Sequence, residues 1–97
     1  MADFCITEVK YDSDHERIEW VKVREDKGDN APGPWRVTHR AFIVDLIRLG
    51  KASFQTRTQD RYGNWKKGAK IEVYGDKFLT TEGNRTEKDN LGELPEF

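Results

Sequence analysis

The run from Arg61 to Lys70 (RYGNWKKGAK) is where the sequence concentrates chemistry: Arg61, Lys66, Lys67 and Lys70 with no acid among them, and Tyr62 and Trp65 in between. Cations alternating with flat rings are what sequence-tolerant single-strand nucleic-acid binding uses. Ammonium and guanidinium groups meet phosphates, and every base offers a π face. Arg57, just upstream, extends the set. Roughly 5 or 6 phosphate contacts make a small electrostatic footprint, and Asp60 borders it. The simpler reading is a solvated hairpin whose Trp65 folds back on the sheet and whose lysines guard an edge against aggregation.

Catalytic constellations are sparse. Nucleophilic catalysis requires a Ser or Cys held by a base and an orienting group, and acid–base work requires paired groups in a dry pocket. The single cysteine, Cys5, falls in a run of strand-forming residues, where a free thiol behaves as a small buried hydrophobe. His39 falls in the first turn of a helix and His15 in a turn, both simplest as surface residues. Two His and one Cys write no zinc pattern. The acidic run Asp12-Ser13-Asp14-His15-Glu16 begins like a calcium loop, but Arg17 stands where the sixth-position Gly belongs and Val23 where the twelfth-position Glu belongs. Asp12, Asp14 and Asp60 are the carboxylates from which metal-dependent hydrolysis would be assembled, and carboxylates alone are a weak signal. Gly63 and Gly68 lead into Ala69-Lys70 and a strand, so no phosphate-cradling loop is formed. The sequon Asn84-Arg85-Thr86 is a chance triplet in a chain with no secretory route. No catalytic residue, metal or cofactor is expected, and the chain is read as a non-enzyme.

Charge and size narrow the classes further. With 17 Lys+Arg against 18 Asp+Glu, a net charge of −1 steers the whole molecule toward neither nucleic acid nor an anionic membrane. The longest apolar run, Ala41-Phe42-Ile43-Val44, is far short of the ~20 residues that cross a bilayer. Met1-Ala2-Asp3 has neither the basic nor the apolar region of a signal peptide, so a cytoplasmic protein without membrane association is expected. Its 97 residues (11.3 kDa) suit one domain. Despite a mean hydropathy of −0.91, 11% aromatic residues supply the bulky apolar area that disordered chains lack.

Periodicity then places the elements that would position these residues. Phe4 to Tyr11 and Ile18 to Arg24 are rich in β-branched and aromatic residues around the turn chemistry of Asp12 to His15. They predict a hairpin, with a bulge or burial on both faces because neither strand alternates cleanly. Glu25 to Pro34 (EDKGDNAPGP) hold charge, Gly and Pro with no apolar payload, and a mobile loop is read over about 25–36. Thr38 reads as a helix N-cap with Val37 and Phe42 in hydrophobic-staple register. Phe42, Ile43, Leu46, Ile47 and Leu49 then recur at helical spacing up to Gly50, placing a helix over about 39–49. A helix of that length is marginal alone, so its stripe must lie on a sheet. Period two returns in Phe54, Thr56 and Thr58, and in Ala69, Ile71 and Val73. A third strand, Lys77 to Leu79, is entered through a two-residue Gly75-Asp76 turn. The fold class is α+β: one small domain of mainly antiparallel sheet with one packed helix, in order β-β-α-β-β-β, closed by an ordered C-terminal tail over about 83–97.

That tail is polar until Leu91, Leu94 and Phe97. Asp89 and Asn90 can shape a turn through side-chain to backbone bonds, after which Leu91 and Leu94 plug the open end of the sheet and Pro95 stops the chain. A structural latch is the plain reading, and a docking peptide presented to a partner the sharper one. Ile6 and Val9, the helix closed by Gly50, Phe54 and Thr56, Leu79-Thr80-Thr81, and the ending Asp89-Asn90-Leu91-Gly92-Glu93-Leu94-Pro95 together carry a resemblance over nearly the whole chain. In these residues the chain resembles a bacterial family known as domain of unknown function 3892, although residues 25–36 and 59–70 are longer than in a typical member. The resemblance implies a small stand-alone bacterial protein and carries no activity, ligand or catalytic residue. Two functional classes stand. The favoured one is a non-catalytic binding or protein-interaction module, because sheet edges, basic hairpin and tail offer surface without chemistry. The other is single-stranded nucleic-acid binding through Arg57, Arg61, Tyr62, Trp65, Lys66, Lys67 and Lys70. A protein partner is expected over nucleic acid, and no membrane partner.

Overall fold

Among the described residues the alternating segments become six strands and one helix: β1 (Phe4–Tyr11), β2 (Ile18–Glu25), β3 (Arg36–His39), α1 (Arg40–Arg48), β4 (Phe54–Gln59), β5 (Trp65–Tyr74) and β6 (Phe78–Thr81). The computed structural model describes residues 2–75, 77–82, 91–92 and 94–97. The strands lie in the order β3-β2-β1-β4-β5-β6, so the expected α+β architecture is present with one strand more, in chain order β-β-β-α-β-β-β. All neighbours run antiparallel except β1 and β4, where Phe4, Cys5 and Ile6 pair in parallel with Phe54, Gln55 and Thr56. Parallel strands cannot be joined by a hairpin. The chain therefore leaves β1 through β2 and β3 and returns through α1, which packs against β2, β3, β5 and β6 before β4 begins.

The extra strand, β3, stands where the sequence reads only a helix lead-in. Its Arg36, Val37, Thr38 and His39 pair with Val23, Lys22, Val21 and Trp20 of β2. Val37 is thus held in a ladder rather than a hydrophobic staple, and Phe42 is 56% exposed. The N-cap moves one residue on from Thr38 to His39, extended at φ −74 and ψ 142, whose Nδ1 accepts from the Ala41 amide at 3.0 Å. At the other end Gly50, at φ +66, lets Lys51 N–H reach Leu46 C=O and its own N–H reach Ile47 C=O, a Schellman closure that ends the helix after nine residues. Ile43 and Val44 are buried and Leu46 and Ile47 pack beside them, while Phe42 and Leu49 leave the stripe. Their sheet partners are Ile6, Val9, Ile18, Val21, Phe54, Ile71 and Leu79.

Two irregularities shape the centre of the sheet. In β1 the register slips at Thr7, between Ile6↔Val23 and Glu8↔Lys22. In β5 the register passes from Gln55↔Lys70 to Arg57↔Lys67, so Gly68 and Ala69 together face Thr56. A Cβ on Gly68 would collide with the Thr56 hydroxyl and carbonyl oxygens, so this bulge requires glycine. The Thr56 hydroxyl instead accepts from the Ala69 amide at 3.0 Å.

Pairing of β1 with β4 stops at Ile6, and the tail takes the next place beside β1. Val9 N–H donates to Pro95 C=O at 2.9 Å and Phe97 N–H donates to Val9 C=O at 3.0 Å, a parallel bridge centred on Glu96. Leu91 and Leu94 are buried in the core, and Glu96 Oε1 meets His15 Nε2 at 2.9 Å, with the imidazole stacked on Tyr11. Asp89 and Asn90, read as turn formers, lie outside the described residues, as do Asp76 and the triplet 84–86.

Leu94→Ala removes buried apolar volume beneath β1 and should lower the unfolding free energy by about 2–5 kcal/mol, measured by urea denaturation. A chain ending before Leu91 should lose more. An unchanged melting temperature in the truncated chain would show that the tail is no part of the fold.

Candidate interaction face

Register decides which side chains lie on the sheet face turned away from α1. Across β1, β2 and β3, Lys10, Trp20 and His39 form one row and Glu8, Lys22 and Val37 the next, while the intervening Val9 and Val21 point into the core. Trp35, just before β3, and Phe97, from the tail, flank Lys22: its Nζ lies 4.4 Å from the Trp35 ring centre and 4.8 Å from that of Phe97. Glu8 Oε2 completes the cage at 3.1 Å. A cation held between two rings is stabilised by their quadrupoles, by about 0.5–1 kcal/mol per contact at an exposed site. His39 meets the Trp20 ring edge-on at 5.1 Å, and Trp20 Nε1 donates to Glu19. Braced in this way, Trp20, Trp35, Val37 and Phe97 nevertheless stay 38, 51, 44 and 37% exposed.

Further along the same face the row is Cys5, Arg24 and Gln55, and residues 26–33 fold over it. Asp26, buried, accepts from Arg57 Nη1 at 3.3 Å and from Gln55 Nε2, while its Oδ1 also takes the Gly28 amide. Arg57 Nη1 reaches Asn30 C=O as well, at 3.3 Å. Arg57 is therefore withdrawn from the nucleic-acid set: its side chain is 3% exposed, and its Nε is buried without a partner among the described residues. The loop lacks apolar payload, as its composition indicates, and is anchored by this ion pair instead. Arg24 donates to Thr7 Oγ1 and Gly33 C=O and lies over the Trp65 ring at 5.0 Å, so that ring is covered. Burial, with Asp26 second, pushes the Cys5 thiol up to about 11. It is a neutral buried thiol at physiological pH.

The basic hairpin does not gather its cations on one surface. β5 begins at Trp65, earlier than the alternation from Ala69 indicates, so Lys66 and Lys67 sit in the ladder. Lys67 and Lys70 pair with Arg57 and Gln55 on the outer face, whereas Lys66 pairs with Thr58 and points the other way. Lys67 Nζ is bound to Asp29 at 3.2 Å. Arg61 lies over the Tyr62 ring at the tip, where Tyr62 is 75% exposed. Asp60 builds that tip: its Oδ1 accepts from the Tyr62 and Asn64 amides at 2.8 and 3.0 Å, and the Asn64 amide leads in holding its carboxyl below the usual range. Asp12 is similarly lowered, first by the Glu16 amide of its own turn. Among the described residues no three His, Cys, Asp or Glu side chains converge on a metal-sized site.

A family model described as protein of unknown function (DUF3892) matches residues 5–95. The chain belongs to the DUF3892 family. No curated protein and no solved structure matches it. In this DUF3892 chain the match runs from Cys5 in β1 to Pro95 in the tail, so both the loop over Arg57 and the tail's entry beside β1 lie within the family's extent. No helix among its described residues is long and apolar enough to cross a membrane.

Asp26→Ala in the DUF3892 chain leaves Arg57 charged and buried, and should lower stability by about 3–5 kcal/mol in denaturant unfolding. The hairpin tip should respond to acid. Because the folded carboxyl of Asp60 titrates below its ordinary 3.8, its stabilisation is complete above that pH and is lost as pH falls through the folded value. Tyr62 and Asn64 amide resonances should titrate with a midpoint below 3.8, and Asp60→Asn should abolish that titration.

Proposed function

We propose that the chain is a non-catalytic protein-interaction module that receives an extended, acidic polypeptide segment along the open edge of β3, against Trp20, Trp35 and Val37. The observation that carries this reading is the row of exposed aromatic residues beside an edge strand. β3 is last in the sheet, and among the described residues no turn or loop bond uses the backbone of residues 36–38, which leaves the groups turned away from β2 open to an added strand. Tryptophan rings already braced by Lys22 and His39 offer large contact area with little further ordering cost. Glu8 is paired with Lys22, while Lys10, in the same row as Trp20, has no partner among the described residues and can receive a carboxylate of an acidic segment. The neutral Cys5 thiol and carboxylates committed to their own turns support the non-catalytic half of the reading.

Affinity capture with three proteins tests it: wild type, Trp20→Ala/Trp35→Ala, and the hairpin charge reversal Lys66→Glu/Lys67→Glu, each with and without nuclease. The tryptophan variant should bind its protein partner about 30-fold more weakly, as loss of a central anchor does, with the hairpin variant and nuclease without effect. Loss of partners on nuclease treatment and on charge reversal, with the tryptophan variant intact, would replace this reading with single-stranded nucleic-acid binding.

A further inference from the structure

On the helix side of the sheet, where β1 begins and β2 ends, a cavity of about 590 Å³ opens among Phe4, Val23, Glu25, Arg36 and Lys51, with Asp3 on its wall. That volume lies within the range of small-molecule sites. Register sets the floor. Phe4 pairs with Glu25, Val23 pairs with Arg36, and the two rows lie two residues, roughly 7 Å, apart along the strands. Lys51 enters from the Schellman closure of α1.

Its parts are fixed to different degrees. The Phe4 ring is stacked on Phe54 at 5.5 Å with 25° between planes, so one face is fixed while the residue stays 37% exposed. Asp3 is committed: its Oδ2 accepts from the Ser53 amide at 2.9 Å and from the Ser53 hydroxyl at 3.0 Å, and it serves as wall. The Arg24 guanidinium is engaged at Thr7, Gly33 and Trp65 on the opposite face. Arg36, Lys51 and Glu25 are left. Among the described residues none of these three side chains has an ion-pair or hydrogen-bond partner, although Glu25 and Arg36 are diagonal neighbours on the sheet. Two free cations and one free carboxylate thus surround an aromatic and aliphatic floor. A singly charged ligand would leave one sign of charge unanswered, whereas a zwitterion answers both.

We propose that this cavity binds a free aromatic α-amino acid, its carboxylate on Arg36 and Lys51, its ammonium on Glu25 and its ring over Phe4 and Val23. The site lies on the opposite face from the β3 interaction surface and stands or falls separately from it.

Titration followed by amide resonances tests the assignment with three probes that share one ring: L-phenylalanine, 3-phenylpropionate, which lacks the ammonium, and 2-phenylethylamine, which lacks the carboxylate. L-phenylalanine should give saturable shifts at Phe4, Val23 and Lys51, with each singly charged probe binding at least about ten-fold more weakly. Arg36→Ala should weaken L-phenylalanine and 3-phenylpropionate but not 2-phenylethylamine, and Glu25→Gln should weaken L-phenylalanine and 2-phenylethylamine but not 3-phenylpropionate. Both residues lie at the surface, and unchanged spectra away from the cavity verify the fold. The proposal is overturned by the absence of saturable shifts up to about 10 mM, by singly charged probes binding as tightly as the zwitterion, or by either variant leaving all three titrations unchanged.

Discussion

One short helix has to serve a wide sheet. Nine residues of α-helix extend about 14 Å, whereas six strands side by side span roughly 24 Å between their outer axes. A single α1 can seal one face with Ile43 and Val44 against Ile6, Val21, Phe54, Ile71 and Leu79, and no second helix among the described residues seals the other. Every unusual feature of the outer face follows from that shortage. A two-sided sheet with one apolar cover must fill its other side with polar interactions, loops or exposed rings.

All three solutions occur along that face. Over its centre, residues 26–33 act as a polar lid held by Asp26 on Arg57 and Gln55. A buried ion pair of this kind adds little net stability, because desolvation offsets most of the attraction, yet removing either partner alone is costly. It therefore selects one loop position more than it strengthens the fold. Beside it, the Arg24 guanidinium lies over the Trp65 ring. At β2 and β3 the rings stay open, with Lys22 keeping Trp35 and Phe97 apart. The same side chains that make up for a missing helix provide the surface on which a partner would act.

How much of this is readable from the sequence depends on whether a residue's environment is set locally. β1, β2, β4, β6 and the helix declare themselves through β-branched runs, helical spacing and Gly50. β3 does not: four residues between a Pro-rich loop and a helix carry too little pattern, and Thr38 mimics an N-cap while His39 performs the capping. The start of β5 is hidden because Lys66, Lys67 and Gly68 belong to a bulged ladder whose partner Thr56 is distant in sequence. Arg57 is the clearest case. Its place opposite the apolar stripe of β4 marks it as solvent-facing, and only the lid carrying Asp26 reverses that. The aromatic face is equally non-local, since Trp20, Trp35 and Phe97 meet only once β3 and the tail are docked on β2 and β1. The pairs Trp20↔His39 and Lys22↔Val37 would have revealed it had the short strand been recognised.

The bridge between Val9 and Glu96 joins the first strand to a segment that follows the last one. During synthesis β1 emerges first among the six strands, but the backbone that occupies its flank is added only after all six. Up to that moment the N-terminal hairpin carries an unmatched N–H and C=O at Val9 and an apolar hollow meant for Leu91 and Leu94. Vectorial emergence from a ribosome therefore cannot finish this domain piecemeal. Closure waits for residues 91–97, and until they are in place the half-made sheet keeps an open strand edge.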